Sequence, residues 1–407
     1  MVPNGWEVKK LEDLASVERG KFSARPRNDP KYYSGEIPFV QTGDIAGAKT
    51  YLKSYSQTLN EEGLKVSRLF PKNTILITIA ANIGDVAITS FDVACPDSLV
   101  AIQPKEGTNV IWLYFYLETC QKELDGQATQ NAQKNINLQV LRPLNILTPL
   151  FPEQQKIAKI LSTWDEAIST TERLIENSTQ QKKALMQQLL TGKKRLFNDE
   201  GKRFEGEWEE IKLGSLYSFK RGKGISKGQL TENGNKCVLY GELYTHYGEV
   251  IHEVKSRTRE INSVKSIKGD VLIPASTTTT GIDLANATAV LEDDILLGGD
   301  INILRPKKAT DAIFMAHLLT HIKKFEIARK GQGITIIHVY GKDLANLDVL
   351  TPKDLKEQQK IAIVLTNADK EIELLEQQLA NFQQEKKALM QVLLTGKKRV
   401  VVDGEVI

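Results

Sequence analysis

EQQKIAKILSTWDEAISTTERLIENSTQQKKALMQQLLTGKKRL fills residues 153–196, and EQQKIAIVLTNADKEIELLEQQLANFQQEKKALMQVLLTGKKRV fills residues 357–400. The two align without a gap at a constant offset of 204, and about 25 of the 44 positions are identical. Self-similarity at a fixed offset is the mark of a duplicated structural unit. In the second copy Ile361, Leu365, Ala368, Ile372, Leu375, Leu379, Phe382, Lys386, Leu389 and Leu393 alternate spacings of four and three. The first copy keeps that register as Ile157, Leu161, Trp164, Ile168, Thr171, Ile175, Ser178, Lys182, Leu185 and Leu189. This is a heptad seam on a helix. Thr191-Gly192 and Thr395-Gly396 stop the two helices, glycine supplying the left-handed residue that a helix end favours.

A matched register over the full length predicts that the helices pair with each other. Helix one carries the chain away from a first globular region and helix two must run back, so the pair is antiparallel. About 39 residues at 1.5 Å each make a rod of roughly 58 Å. Two heads near its opposite ends would be related by a pseudo-two-fold axis.

The duplication reaches the flanking regions. Trp6-Glu7, Lys10-Leu11, Leu14 and Arg19-Gly20-Lys21 line up with Trp208-Glu209, Lys212-Leu213, Leu216 and Arg221-Gly222-Lys223. PKNTILITIAANIGDVAI (71–88) answers IKGDVLIPASTTTTGIDLA (267–285), a short strand, a small polar loop and Gly followed closely by Asp. AIQPKEGTNVIWLYFYL (101–117) answers ILRPKKATDAIFMAHLL (303–319), a strand, a Pro-Lys turn and an apolar helix. Each head closes on a strand ending in Thr148-Pro149 or Thr351-Pro352. The expected fold is α+β. A head at 1–150 is followed by a spacer helix at 151–196, a second head at 197–352 and a second helix at 353–400. The tail 401–407 should return to the first head. The heads resemble each other weakly while the helices agree closely, which suits one scaffold presenting two specificities.

Composition is that of a soluble globular chain: 407 residues, 41% hydrophobic, 26% charged, net charge +3. Cys95, Cys120 and Cys237 are too few and too scattered for a disulfide framework, so a reducing compartment is expected. MVPNGWEVKK is no secretory signal, and the longest apolar run, near Ile75–Ile79, is far short of a membrane span. The expectation is a cytoplasmic protein that touches no membrane.

No catalytic constellation stands out. A GxxxxGK[ST] loop is missing, and GKGISKG (222–228) has the wrong glycine spacing for a dinucleotide site and reads as a flexible basic loop. His317 and His321 sit four apart, but no glutamate follows His317 as in HExxH, and the first copy has Phe115 and Thr119 there. A surface or packing role is therefore expected of them, and no metal site. Glu253-Val254-Lys255 lacks the upstream Pro-Asp of a nuclease motif. The chain reads as a binder, not an enzyme.

Heads that open on Gly5-Trp6 with Leu11-Glu12-Asp13-Leu14, or on Leu213-Gly214, close on a Thr-Pro strand and continue into EQQKIA and a helix ending LLTGKKR. Two such units in one chain resemble the specificity subunit of type I restriction–modification enzymes, the HsdS family. The resemblance spans essentially the whole chain, with one local departure, Lys356 where the first copy has Pro152. It implies that each head is a target-recognition domain reading one half of a split sequence in double-stranded DNA. It implies further that the helices set the spacing and dock two modification (methyltransferase) subunits, and that restriction/motor subunits complete the enzyme. S-adenosylmethionine, ATP and Mg2+ would then belong to those partners, and no cofactor to this chain.

Arginine and lysine reach phosphates and guanine, and asparagine and glutamine reach adenine. On that basis the first head's DNA-binding candidates are Arg19, Lys21, Arg25 and Arg27, with Gln127, Thr129, Gln130, Asn131, Gln133 and Lys134. The second head's are Arg221, Lys223 and Lys227, Thr277, Thr278, Thr279 and Thr280, and Lys330 with Gln332. A coiled-coil adaptor whose two heads bind proteins is the alternative that composition allows. A free-standing methyltransferase or nuclease is disfavoured by the missing motifs.

Overall fold

A computed structural model describes residues 2–80, 82–127 and 135–402, with the backbone of 405–406. The chain divides into two compact units. Unit 1 is Met1–Arg173 with Glu376–Ile407, and unit 2 is Leu174–Leu375. Each unit therefore holds one head and half of each long helix.

In unit 1, Ile75–Thr78 and Leu99–Pro104 lie at the centre of a five-stranded sheet. Its order is Ala15–Arg19, Leu99–Pro104, Ile75–Thr78, Val86–Thr89, Tyr51–Leu52. A four-stranded sheet runs Gln57–Leu59, Tyr33–Phe39, Val93–Ala94, Leu69–Phe70. The opening strand Glu7–Lys10 pairs antiparallel with the closing strand Asn145–Thr148, Glu7 opposite Thr148. All four residues of Ile75–Thr78 are buried, as expected of a strand covered on both faces. The helix Val110–Thr119 lies against this sheet and buries Trp112, Leu113 and Phe115.

Unit 2 repeats the topology strand for strand. Its five-stranded order is Tyr217–Arg221, Ile301–Pro306, Val271–Pro274, Thr288–Val290, Val250–Ile251. Its four-stranded order is Ser256–Thr258, Leu230–Val238, Leu296–Leu297, Val264–Lys265. Trp208–Lys212 pairs with Asp348–Pro352. Ser276–Thr277 pairs with Ile337–His338 in head 2, where the described residues of head 1 show the bridge Ala80–Asn135. The apolar helix expected after Pro306 is interrupted. It is α-helical over Ala312–His317 and then passes through a π-helical turn, Leu318–Ile322.

The two long helices span Phe151–Leu189 and Leu355–Leu393. Every residue of the heptad seam is buried or half-buried. Within unit 1, Trp164 meets Phe382 edge-on at 5.6 Å, and Lys386 Nζ reaches Asp165 at 2.6 Å. Within unit 2, Lys182 pairs with Asp369. Residue numbers rise along one helix as they fall along the other, so the halves in each unit run antiparallel. The two seam lysines thus find the aspartate of the opposite helix, and each stem lies along the seam.

The ends of the helices are sunk into the heads. Ile157, Ala158 and Leu161, with Leu393, Leu394 and Val400, belong to the core of head 1. Leu189 and Leu190, with Ile361, Ala362 and Leu365, belong to the core of head 2. Burying one such leucine contributes about 1.5–3 kcal/mol, more than a half-buried seam position can. Both helices end on a left-handed glycine, Gly192 at φ +70° and Gly396 at φ +66°. Cys95, Cys120 and Cys237 are free and buried, and burial pushes their thiols up to about 12, 11 and 11. Among the described residues no helix is long and apolar enough to cross a membrane.

Candidate nucleic-acid interface

The repeated Arg-Gly-Lys has a backbone reason. The amide of Gly20 donates to Leu99 O and that of Lys21 to Cys95 O, each at 2.9 Å. A Cβ on Gly20 would stand 2.2 Å from Pro96 O. In head 2, Gly222 donates to Ile301 O and Lys223 to Leu297 O, and a Cβ on Gly222 would meet Gly298 O at 1.9 Å. The glycine lets one chain cross close against another at the end of the outer strand, and the cations on either side are carried to the surface.

Around that crossing in head 1, Arg19 donates to Asp97 O, and Arg27 grips both carboxylate oxygens of Asp97 at 2.9 Å. Arg27's hydrogen bonds hold the Asp97 carboxyl below its usual range. Lys21, Arg25 and Gln127 are exposed. Arg25 bonds back to Ala24 O and Gln127 to Glu123. Thr129, Gln130, Asn131, Gln133 and Lys134 lie outside the described residues.

Arg27 also lines an open cleft of this head. It holds about 720 Å³ and is walled by Arg27, Asn28, Ser34, Gln41, Ser56 and Gln57 over a floor that includes Phe22 and Phe39. Gln41 Nε2 donates to Gln57 Oε1 at 3.1 Å, so two side-chain amides stand together at one rim. An amide can donate and accept at once, which is the pattern an adenine edge presents. Asn28, Gln41 and Gln57 were not among the sequence candidates. They are scattered singly along the chain: Gln41 precedes the short helix Thr42–Ala46 and Gln57 opens the strand Gln57–Leu59.

In head 2, Arg221 pairs with Asp300, an arrangement like that of Arg27 with Asp97. Lys223 and Lys227 are exposed. The GKGISKG loop is not free-swinging, because Ile225 is buried in a small cluster with Cys237 and Leu296. The amide of Gly299 also donates to Gly224 O at 2.6 Å. The threonine run divides. Thr278, Thr279 and Thr280 are exposed, and Asp283 accepts from the hydroxyls of Thr279 and Thr280. Thr277 is fully buried, its hydroxyl 2.7 Å from that of Thr279. It has no surface to offer DNA and holds the turn instead, which corrects that candidate. Gln332 is exposed beside His338, exchanging two backbone bonds with it at 2.8 Å, and Lys330 is half-buried. The His317–His321 pair is not a surface feature either, since His317 is completely buried.

The two repeated motifs join helix to head. Gln154 Oε1 accepts from the Asn109 amide at 2.9 Å, and Gln154 Nε2 donates to Pro149 O at 3.0 Å. In head 2, Gln358 Oε1 accepts from the Asp311 amide at 3.0 Å, and its Nε2 donates to Pro352 O at 2.9 Å. Glu153 pairs with Arg399, and Glu357 with Arg195.

The model of the type I restriction modification DNA specificity domain matches this sequence twice, over residues 3–178 and 205–384. The chain belongs to the type I restriction modification DNA specificity family. The type I restriction enzyme MjaVIII specificity subunit of Methanocaldococcus jannaschii is 23% identical, the match covering 98% of this chain and 94% of that one. The fold is shared with a type I restriction–modification S subunit from M. genitalium, at a TM-score of 0.61, 17% identity and 97% of both chains. It is shared also with an HsdS subunit from Thermoanaerobacter tengcongensis, at 0.51, 16% identity and 98% of both. As in the rest of this DNA specificity family, the chain's function is DNA sequence specificity in a type I restriction–modification system, not that of a protein-binding adaptor.

Proposed function

We propose that each head reads one half of a bipartite DNA target. The helix pair sets the interval between the halves and docks two methyltransferase subunits, and restriction/motor subunits join the same assembly in the cytoplasm. The chain itself supplies recognition and no catalytic group. S-adenosylmethionine, ATP and Mg2+ serve the partners. The observation that carries this reading is a contrast. The two heads share one strand order across both main sheets, yet their sequences resemble each other only in short patches, while the helices agree at about 25 of 44 positions. A common scaffold with divergent surfaces suits two separate readings of one kind of ligand.

The test is binding by the chain with its methyltransferase partner, at fixed salt, to a duplex carrying the methylated motif. Scrambling either half alone should weaken binding about 10³-fold or more, the usual margin of specific over non-specific contact. If one half can be scrambled without loss, the two-reader assignment is wrong.

A further inference from the structure

Head 2 holds a polar cluster, fully buried at His317 and half-buried at Glu249 and His321, that takes no part in the candidate reading surface. Glu249 directly precedes Val250–Ile251, the edge strand of the five-stranded sheet. His317 ends the helix Ala312–His317, and His321 follows in the π-helical turn Leu318–Ile322. Such turns are rare and concentrate at functional sites. One ligand-capable atom from each of the three residues lies within 4.8 Å of the other two.

The hydrogen bonding inside this cluster is incomplete. Glu249 Oε1 and His321 Nε2 are 2.5 Å apart, and the two imidazoles stack with centroids at 5.9 Å. His317 has no exposed surface, and neither of its ring nitrogens has a hydrogen-bond partner among the described residues. The nearest other acid is Asp369, whose Oδ2 stands 3.9 Å from His317 Nε2, too far for a hydrogen bond. A neutral imidazole carries one donor and one acceptor, and native interiors rarely leave both unmade. Plain packing would have been served by the Phe115 and Thr119 of the first copy.

We propose that Glu249, His317 and His321 form a zinc-type divalent metal site that ties the edge of the five-stranded sheet to the helix Ala312–Ile322 segment. Two imidazoles and one carboxylate, with a fourth position for water, are a donor set that Zn2+ takes readily. Mg2+ and Ca2+, which want oxygen throughout, are not suited. Bonds of about 2.0–2.1 Å at tetrahedral angles put ligand atoms roughly 3.3 Å apart. Closing from the present spread needs shifts of about an ångström. The charged groups nearby are Lys182 and Asp369, and they neutralise each other. Head 1 has no counterpart, since Phe115 and Thr119 replace the histidines.

The experiment uses the full chain, stripped with a chelator and titrated with Co2+ as a coloured stand-in for Zn2+. One equivalent should give visible ligand-field bands that Zn2+ abolishes and Mg2+ leaves alone. Zn2+ at 100-fold over its Kd should raise the melting temperature by about 5 °C. Glu249→Gln and His321→Gln, both at half-buried positions, should keep the circular dichroism spectrum and lose both signals. A wild-type chain with neither bands nor a Zn2+ shift overturns the site without needing any variant. Bands that persist in both variants place the metal elsewhere and overturn it equally.

Discussion

Arg399 holds both carboxylate oxygens of Glu153 at 2.8 Å, across 246 residues of chain. Arg195 holds Glu357 in the same way, at 2.5 and 2.7 Å. The first residue of EQQKIA and the last of GKKR are therefore bound to each other, each unit taking its glutamate from one helix and its arginine from the end of the other. This gives the duplicated motifs an internal task, closing the antiparallel pair at each head, alongside the partner docking proposed for the helices. In unit 1, Trp6 Nε1 adds a third bond to Glu153 at 2.9 Å. In unit 2 the matching nitrogen of Trp208 has no partner among the described residues.

Arg399→Met should strand the fully buried Glu153 carboxylate and destabilise the chain by about 3–5 kcal/mol. Adding Glu153→Gln to that variant should recover much of the loss, because the uncompensated charge is gone. Lys212→Ala, which breaks the exposed pair with Asp348, should change stability by under about 1 kcal/mol. Urea unfolding of the three variants checks the ordering. Equal losses for the buried and the exposed pair would refute it.

Gly396→Ala should be more damaging than Gly192→Ala. Both positions have positive φ, so both lose about 1–3 kcal/mol to backbone strain. At Gly396 an added Cβ would also come within 2.4 Å of Pro3 Cγ, whereas at Gly192 its nearest neighbour is the Trp208 ring at 3.1 Å. Thermal unfolding of the two variants, measured side by side, gives the comparison.

The head 1 cleft separates two kinds of contact. Gln57→Ala should cost about 1–3 kcal/mol of discrimination at one base of one half-site and leave assembly with the partner intact. Lys21→Ala should weaken all duplexes alike and lower the slope of log K against log salt by about one. Competition binding with single-base variants of the target reads both effects. A change of base preference in Lys21→Ala would remove it from the phosphate-contacting class.

The sequence made the helices readable because a heptad needs only local spacing, and all its seam positions from Ile157 to Leu189 and from Ile361 to Leu393 turn inward. The strand pairs at the Thr-Pro ends were readable as repeats of a visible pattern. The Glu153–Arg399 contact was not, since nothing local links two charges so far apart in the chain. A separation of 72 residues likewise hid Glu249 from His321, so the histidine pair read as a surface or packing feature. Gln41 and Gln57 escaped because a lone amide looks like any solvated residue until folding puts a second amide beside it. Thr277 failed for the opposite reason: a polar run looks exposed throughout, while its first member starts as a buried strand residue.

Two separable heads, each reading half of one DNA target, are the core of the proposed function. Exchanging residues 1–150 for the equivalent head of a relative and determining the methylated motif of the resulting system tests it most directly. One half of the motif should change, and the other half and the interval between them should stay as they were. A motif altered in both halves, or in neither, would contradict it.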